Sequence, residues 1–265
     1  MSTSSKPRRQ RAGRSAALPA PQASWAYFFD IDGTLVDIAP TPSEIHLARD
    51  LHAAILRLHT ATDGALALIS GRSIANIDSI FGGVRLPVAG QHGLERRDHR
   101  GNITRHDAIS EELQIARDGL DRAVTRHRGL MLEDKGLSLA LHYRAAPALA
   151  SFAHRIVRAI ADEVGPDYTV LRGKRVVELK PSGRDKGVAV RDFMSEKPFK
   201  GRTPVFVGDD VGDEYGFAVV NELGGHSIKV GRGTTRARWR LRDVRAVKAW
   251  LDRLGRNEPA SDNQQ

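Results

Sequence analysis

The chain of 265 residues contains no cysteine, which excludes disulfide bonds and thiolate-bound zinc or iron. It also lacks any apolar run of the roughly 18–20 residues that a membrane helix requires, so we expect no membrane partner. Residues 1–24 contain no acid and lack the apolar segment of a secretory signal. Hydrophobic residues make up 40% of the chain and charged residues 28%, which suits one large domain or a core with a smaller second domain.

The net charge of +9 is concentrated in two segments. Residues 1–24 hold five positive charges, on Lys6, Arg8, Arg9, Arg11 and Arg14. Their Ser, Pro and Ala content without apolar periodicity predicts a disordered tail, with an organelle transit peptide as the alternative. A second disordered tail is predicted over residues 256–265.

The second basic segment, GRGTTRARWRLRDVR (231–245), has six arginines and one aspartate. Such a segment raises nucleic-acid binding as one interpretation. No zinc-finger spacing, aromatic RNA-binding strand or helix-turn-helix pattern accompanies it. We therefore interpret the segment as a solvated face and expect no nucleic-acid partner.

Short apolar runs alternate with helical patterns along the chain. Four runs are predicted strands, namely WAYFFDI (25–31), GALALISG (64–71), TPVFVGDD (203–210) and HSIKVG (226–231). Helices are predicted over residues 42–59, where Ser43 is the expected cap and Glu44 suits the first turn, and over residues 73–81. This alternation indicates an α/β fold with a parallel sheet covered on both faces.

Residues between about 107 and 183 have a different pattern. Amphipathic helices are predicted over 110–127 and 146–165, and each is followed by a predicted hairpin. The first hairpin covers 130–144 and turns at Lys135-Gly136. The second hairpin covers 167–181 and turns at Gly173. Helix, hairpin, helix and hairpin indicate a separate α+β module inserted into the parallel-sheet domain.

Polar side chains follow three of the predicted parallel strands. Asp30 and Asp32 end the first strand, Ser70 follows the second, and Asp209 and Asp210 follow the third. Because ligands bind beyond the carboxyl ends of strands in open α/β sheets, we expect these groups to converge. A lone Asp is more often a turn or cap residue, and we accept that interpretation for Asp37, Asp50 and Asp78.

The chemistry of the converging groups suits phosphoryl transfer. Two adjacent carboxylates stay ionised only when they share a cation, and an oxygen-rich set that includes Asp209 and Asp213 suits Mg²⁺. Gly33 permits a sharp exit from the strand, Ser70 offers a hydroxyl, and Lys186 offers an ammonium to an anionic substrate. A carboxylate nucleophile, an acid/base, a metal and a cation are the parts that such a reaction needs.

Four ordered motifs resemble those of the haloacid dehalogenase (HAD) phosphatase superfamily: DIDGT (30–34), Ser70 in ISGR, Lys186, and GDDVGDE (208–214). The resemblance implies a Rossmann-like core over 25–107 and 184–255 with an inserted cap over 108–183. It implies that Asp30 attacks phosphorus, Asp32 moves the proton, and Mg²⁺ binds Asp30, Asp209 and the Asp32 carbonyl, with Asp210 and Asp213 in support. The fourth motif usually carries Thr where Gly212 stands, which puts the local rigidity in doubt.

Three further segments resemble the trehalose-6-phosphate phosphatase family: VAGQHGLERR (88–97), LEDKGLSLALHYR (132–144) and VVELKPSGRDKG (176–187). The resemblance implies trehalose 6-phosphate as the substrate of a cytoplasmic enzyme with a functional link to a trehalose-phosphate synthase. The implied substrate contacts, besides the two catalytic acids, are Gly33, Arg72, Gln91, His92, Glu133, Lys135, His142, Arg144 and Glu178. Without the family framework, Lys135 is a turn lysine and His142 a strand-surface histidine.

Two alternatives to this function stay open. One is another capped sugar phosphatase, acting on sucrose phosphate or mannosyl phosphoglycerate, in which only the cap chemistry differs. The other is a non-catalytic module that binds a sugar phosphate and regulates a partner. The intact set of Asp30, Asp32, Lys186 and Asp209 favours an enzyme.

Overall fold

In the computed structural model, which describes residues 18–38, 47–106 and 111–254, the strands form two sheets. The strands are β1 (Trp25–Phe29), β2 (Leu66–Ile69), β3 (Val88–Gly90), β4 (Glu95–Arg97), β5 (Ile103–Arg105), β6 (Met131–Asp134), β7 (Leu139–His142), β8 (Tyr168–Gly173), β9 (Val176–Pro181), β10 (Thr203–Gly208), β11 (His226–Val230) and β12 (Trp239–Leu241). The α-helices are α1 (Arg49–Ala61), α2 (Ile74–Ile80), α3 (Glu111–Arg126), α4 (Ala150–Val164), α5 (Lys186–Met194), α6 (Asp213–Glu222) and α7 (Val244–Leu251).

The larger sheet has the strand order β12-β11-β10-β1-β2-β3-β4-β5. All pairs from β12 to β3 are parallel, and β4 and β5 are added as antiparallel strands. The predicted α/β fold with a parallel sheet is therefore confirmed. The strand β1 lies between β2 and β10, so the three strands that precede the candidate site residues are immediate neighbours.

Both faces of the larger sheet are covered because the side chains of β1 alternate between two apolar clusters. Tyr27 and Phe29 pack with residues of α1, α2 and α7, whereas Phe28 packs with α5 and α6. All three rings are fully buried. Each buried aromatic side chain stabilises the fold by about 1.5–3 kcal/mol relative to an exposed one, so β1 is a rigid base for the residues that follow it.

The smaller sheet has the order β6-β7-β9-β8 and is antiparallel throughout. Its apolar face packs against α3 and α4 through a separate cluster that includes Leu120, Leu141, Val157 and Leu179. The chain enters this layer after β5 and returns to the larger sheet at α5. We call residues 111–181 the cap and the rest of the described chain the core. The boundaries predicted at 107/108 and 183/184 stay predictions, and the first lies outside the described residues.

Two predicted boundaries of elements need correction. Helix α1 begins at Arg49, whereas the sequence predicted a helix from residue 42. The helix cannot include Ala48, because the backbone of Ala48 is extended (ψ 134°). The expected cap Ser43 and Glu44 lie outside the described residues. The second hairpin of the cap turns at Lys174-Arg175, after Gly173, which still belongs to β8.

Part of the predicted N-terminal tail packs against the core. Leu18 packs against the apolar cluster that contains Tyr27 and Phe29. The carbonyl of Pro19 accepts a hydrogen bond of 2.8 Å from the indole N–H of Trp250. The backbone N–H of Gln22 donates to the hydroxyl of Tyr27 (2.7 Å). Leu18, Pro19 and Gln22 therefore contact the core, whereas the sequence predicted a disordered tail through Ser24.

The arginine-rich segment forms β12 and the start of α7. Two of its guanidinium groups bind backbone carbonyls: Arg240 donates to Gly233 (2.8 Å) and Arg238 donates to Asn221 (3.2 Å). Over the described ranges, no helix has both the length and the apolar content needed to cross a bilayer.

Candidate active site

The ends of three neighbouring strands bring the predicted catalytic residues together. Asp30 follows β1, Ser70 follows β2 and Asp209 follows β10. One cavity at this edge of the sheet is lined by Asp30, Asp32, Ser70, Lys186, Asp209 and Asp210. The parallel register of the three strands, rather than closeness in sequence, produces this convergence.

Asp30 and Lys186 form the buried centre of the site. The ammonium of Lys186 donates to Asp30 Oδ1 (2.7 Å) and to Asp213 Oδ1 (2.6 Å). Burial raises the pKa of Asp30, and Lys186 opposes that shift. Burial alone would lower the pKa of Lys186, but the carboxylates of Asp213 and Asp30 outweigh it and raise the pKa. Lys186 is therefore a cation in the cavity wall, and the first turn of α5 positions it.

Three buried acids, Asp30, Asp209 and Asp213, offer oxygen atoms that all lie within 4.8 Å of one another. Asp213 Oδ2 accepts hydrogen bonds from the backbone N–H groups of Asp209 (2.7 Å) and Asp210 (2.8 Å), which fixes the loop after β10. Asp209 Oδ1 is buried and has no hydrogen-bond partner within the described residues. An unpartnered carboxylate oxygen among clustered acids fits a hard divalent cation with oxygen ligands.

Gly33 allows the loop after β1 to approach the acid of the neighbouring strand. Its φ of 85° is a conformation that side chains disfavour, and a Cβ built there would lie 2.1 Å from Asp209 Oδ2. Any side chain at residue 33 would displace the Asp209 carboxylate. Gly33 therefore shapes the acidic cluster, although it does not itself line the cavity.

Asp32 lies in a different setting from Asp30. The guanidinium of Arg72 binds both of its oxygens, with Nε 2.6 Å from Oδ2 and Nη2 2.7 Å from Oδ1. Arg72 Nη1 also donates to Asn76 Oδ1 (2.6 Å). Arg72 lines the cavity, as expected of a substrate contact, and its contact with both carboxylate oxygens orients Asp32.

The cap closes the same cavity from the opposite side. All of the substrate contacts predicted in the cap line this cavity, namely Glu133, Lys135, His142, Arg144 and Glu178. His142 Nε2 lies 2.7 Å from Glu133 Oε2, since both side chains stand on the same face of the β6–β7 hairpin. Burial would raise the pKa of Glu133, but the hydrogen bond with His142 and the charges of Lys135 and His142 together outweigh burial and lower the pKa.

A second group of contacts joins the cap to the core. Lys135 Nζ donates to the carbonyl of Gly71 (2.9 Å) and to Glu178 Oε1 (3.2 Å), and His92 Nε2 lies 3.1 Å from Glu178 Oε2. Burial would raise the pKa of Glu178, but the charge of Lys135 and the contact with His92 hold it far below its usual range. Burial lowers the pKa of His92. Glu178 is therefore a fixed anion where cap and core meet.

Gln91 is placed differently from the other predicted sugar contacts. Its side chain does not line the cavity and is almost completely buried. The Gln91 amide instead donates to the backbone carbonyl of Lys135 (2.8 Å). Gln91 thus holds the first hairpin of the cap against the core.

Sequence reasoning missed Lys174, Arg172 and Ser138. Lys174 lies in the turn of the second cap hairpin, and its ammonium pairs with the Asp209 carboxylate. Arg172 lines the cavity beside it. The basic run RGKR (172–175) at a hairpin tip was a signal for the first two residues. Ser138 had no comparable signal.

Gly212 leaves space beside Lys186. A Cβ at residue 212 would lie 3.8 Å from Cε of Lys186 and 4.0 Å from Cδ2 of Leu171, which is ordinary contact. Its φ of −62° is available to any residue. The loop after β10 is held by Asp213 rather than by a hydroxyl at residue 212, so the glycine does not loosen the acidic cluster.

Solved structures share this fold, among them a Bacteroides thetaiotaomicron protein described among phosphatases of the haloalkanoate (HAD) superfamily, which matches with a TM-score of 0.60 at 13% identity over 90% of this chain and 98% of that one. The fold is therefore HAD-like. The C-terminal domain of Candida albicans trehalose-6-phosphate phosphatase matches with a TM-score of 0.76 at 23% identity, over 85% of this chain and 90% of that one. Residues 28–245 match the sequence profile described as Trehalose-phosphatase. The chain belongs to the trehalose-phosphatase family.

Two curated relatives support the same family. The trehalose-6-phosphate phosphatase of Escherichia coli (strain K12) is 45% identical over 243 residues, which cover 89% of this chain and 88% of the relative. The bifunctional trehalose-6-phosphate synthase/phosphatase of Thermoproteus tenax is 30% identical over 234 residues, which cover 85% of this chain but 31% of that longer protein.

Proposed function

We propose that the protein is a Mg²⁺-dependent phosphatase that hydrolyses trehalose 6-phosphate to trehalose and phosphate. The observation that carries the proposal is the single cavity lined both by Asp30 with Lys186 and by the polar cap residues. A buried carboxylate beside a cation suits attack on a phosphate monoester, and a surrounding set of acids and bases suits a polyhydroxylated leaving group. The similarity to the Escherichia coli enzyme supports the choice of sugar.

The proposed reaction has two steps. Asp30 attacks phosphorus in line, the bond to the sugar oxygen breaks, and Asp32 gives that oxygen its proton, which leaves an aspartyl phosphate and free trehalose. Asp32 then takes a proton from a water molecule, which attacks the aspartyl phosphate and releases inorganic phosphate. Lys186 and Ser70 neutralise and position the phosphoryl oxygens throughout.

The residues that would hold Mg²⁺ are Asp30, Asp209 and the backbone carbonyl of Asp32, with Asp210 and Asp213 in support. The unpartnered oxygen of Asp209 and the closeness of the three buried acids favour this assignment. When bound, the ion neutralises the clustered carboxylates and the phosphoryl oxygens that gather negative charge.

The cap residues would select the sugar. Glu133, His142 and Glu178 offer acceptors, and Lys135 and Arg144 offer donors, to hydroxyl groups that a smaller phosphate ester lacks. Sites that hydrogen-bond a hydroxyl strongly reject analogues without it, because buried polar groups are then left unpaired. Closure of the cap would also exclude bulk water from the reacting phosphate.

A functional link to a trehalose-phosphate synthase forms part of the proposal, and the bifunctional relative from Thermoproteus tenax supports it. Trehalose 6-phosphate is both the product of such a synthase and the substrate proposed here. A cytoplasmic location stays a prediction.

Replacement of the nucleophile tests the proposed chemistry. Asp30→Asn should lower phosphate release from trehalose 6-phosphate by at least about 10³-fold, because the amide cannot form the acyl phosphate. Asp37→Asn is the matched control, since Asp37 is exposed and does not line the cavity. Circular dichroism and thermal melting check that both variants fold. An Asp30→Asn protein that keeps a tenth of the parent rate would exclude the nucleophile assignment.

A further inference from the structure

Ser138 occupies a polar junction between cap and core that we define by Gln91, Ser138 and Glu178. Ser138 immediately precedes β7 and is completely buried, and the other two residues are nearly so. Its hydroxyl lies 2.8 Å from Glu178 Oε1 in the cap and 3.1 Å from Gln91 Oε1 in the core. A small hydroxyl thus lies between the two layers, beside the cavity but not lining it.

The hydrogen-bond directions at this junction follow from the donors available. Gln91 Nε2 faces two acceptors, the carbonyl of Lys135 (2.8 Å) and Glu95 Oε1 (3.4 Å), so Gln91 Oε1 must point toward Ser138. A serine hydroxyl has one proton, and here it meets two acceptors. The charged carboxylate of Glu178 is the stronger and the closer acceptor, so Ser138 donates to it.

This proton completes the support of the Glu178 carboxylate. Oε1 accepts from Ser138 and from Lys135 (3.2 Å), while Oε2 contacts His92 (3.1 Å). Of these supports, Lys135 and His92 line the cavity and are available to a substrate, whereas Ser138 is not. Ser138 is therefore the contact that can hold the carboxylate when a sugar competes for the other two.

We propose that Ser138 is a positioning residue for sugar recognition, which acts by fixing the Glu178 carboxylate toward the cavity. The inference rests on the proposed function, because it assigns Glu178 to the sugar. It separates Ser138 from phosphoryl transfer, since the hydroxyl touches none of Asp30, Asp32 or Lys186.

Two substrates separate these roles. Trehalose 6-phosphate uses cap and core, whereas p-nitrophenyl phosphate has no sugar and a leaving group that needs no proton. Ser138→Ala should raise KM for trehalose 6-phosphate by about 10- to 100-fold, as for the loss of a neutral donor to a buried carboxylate. The value of kcat/KM for p-nitrophenyl phosphate should stay within about twofold. Ser227→Ala is the matched control, because Ser227 is equally buried but lies in β11, away from the cavity.

A double-mutant cycle tests whether Ser138 acts through Glu178. In a Glu178→Gln background, Ser138→Ala should change kcat/KM for trehalose 6-phosphate by less than about twofold, because the charge that Ser138 supports is gone. Ser138→Cys, which keeps the volume and a weak donor, should raise KM by less than Ser138→Ala. If Ser138→Ala melts more than 10 °C below the parent, Ser138→Cys takes its place in the cycle.

The outcomes distinguish the inference from the function beneath it. An unchanged KM, an equal loss for both substrates, or additive effects in the cycle would overturn the role of Ser138. A parent protein that hydrolyses p-nitrophenyl phosphate but not trehalose 6-phosphate would instead overturn the proposed function, and the role of Ser138 with it.

Discussion

Asp30 and Asp32 lie one residue apart but have different surroundings. Asp30 is 4% exposed and bound to Lys186, whereas the side chain of Asp32 is 35% exposed and held by Arg72. Two carboxylates in contrasting settings commonly divide the roles of nucleophile and acid/base. The bidentate pair with Arg72 keeps Asp32 facing the cavity, where a leaving oxygen would need its proton.

We predict that Asp32→Asn separates the two chemical steps. With p-nitrophenyl phosphate the variant should release a burst of nitrophenol close to one equivalent per enzyme, because that leaving group needs no proton. Steady-state turnover should then fall by about 10²–10⁴-fold, since no base activates the water. Rapid-quench or stopped-flow absorbance measures both phases. Turnover at the parent rate would show that Asp32 does not move the proton.

At this scale the sequence predicted which core residues meet at the cavity better than it predicted their partners. Asp30, Ser70, Lys186 and Asp209 could be found because each follows a strand or stands in an ordered motif. Gln91 was expected to contact sugar but binds the Lys135 carbonyl, and Lys174 was missed. Contacts between side chains of cap and core depend on how the two layers dock, which no local pattern encodes.

Helix α5 is the element that positions Lys186, the proposed catalytic cation. Its first residue is Lys186, and the preceding Asp185 caps it by accepting a 2.8 Å hydrogen bond from the backbone N–H of Val188. The position of the ammonium therefore depends on the first turn of the helix. Helix α7 begins in the same way with Asp243, which accepts from Ala246 (2.9 Å), but it lies away from the cavity.

We predict that the two caps differ in their effect on catalysis. Asp185→Ala should lower the free energy of unfolding by about 1 kcal/mol and reduce kcat/KM roughly tenfold, because fraying of the first turn misplaces Lys186. Asp243→Ala should lower stability without changing kcat/KM. Urea unfolding and steady-state kinetics measure the two effects. Equal activity in both variants would show that the cap of α5 does not position the lysine.

Elements were predictable where their pattern was long enough. The apolar runs that became β1, β2, β10 and β11 were found, as were the amphipathic helices α3 and α4. The strands β3, β4, β5 and β12 have three residues each, too few to show a period, and they form because neighbouring strands pair with them. The start of α1 was placed too early for a different reason: the apolar spacing extends to residues that precede the helical backbone.

At the scale of the whole molecule, the cavity exists because cap and core meet. The contacts of Lys135 with Gly71, of His92 with Glu178 and of Lys174 with Asp209 all cross between the two layers. A substrate that bound to these polar groups would therefore compete with the contacts between the layers. The sequence predicted the inserted cap from its change in pattern, whereas the particular contacts required the structure.

Phosphate release from a panel of sugar phosphates tests the central claim most directly. The purified chain is assayed with trehalose 6-phosphate, sucrose phosphate, mannosyl phosphoglycerate and glucose 6-phosphate, each with Mg²⁺ and with excess EDTA. We predict that kcat/KM for trehalose 6-phosphate exceeds the others by at least about 10²-fold, and that EDTA abolishes the release. Comparable rates for all four esters, no release from trehalose 6-phosphate, or full activity in EDTA would contradict the account.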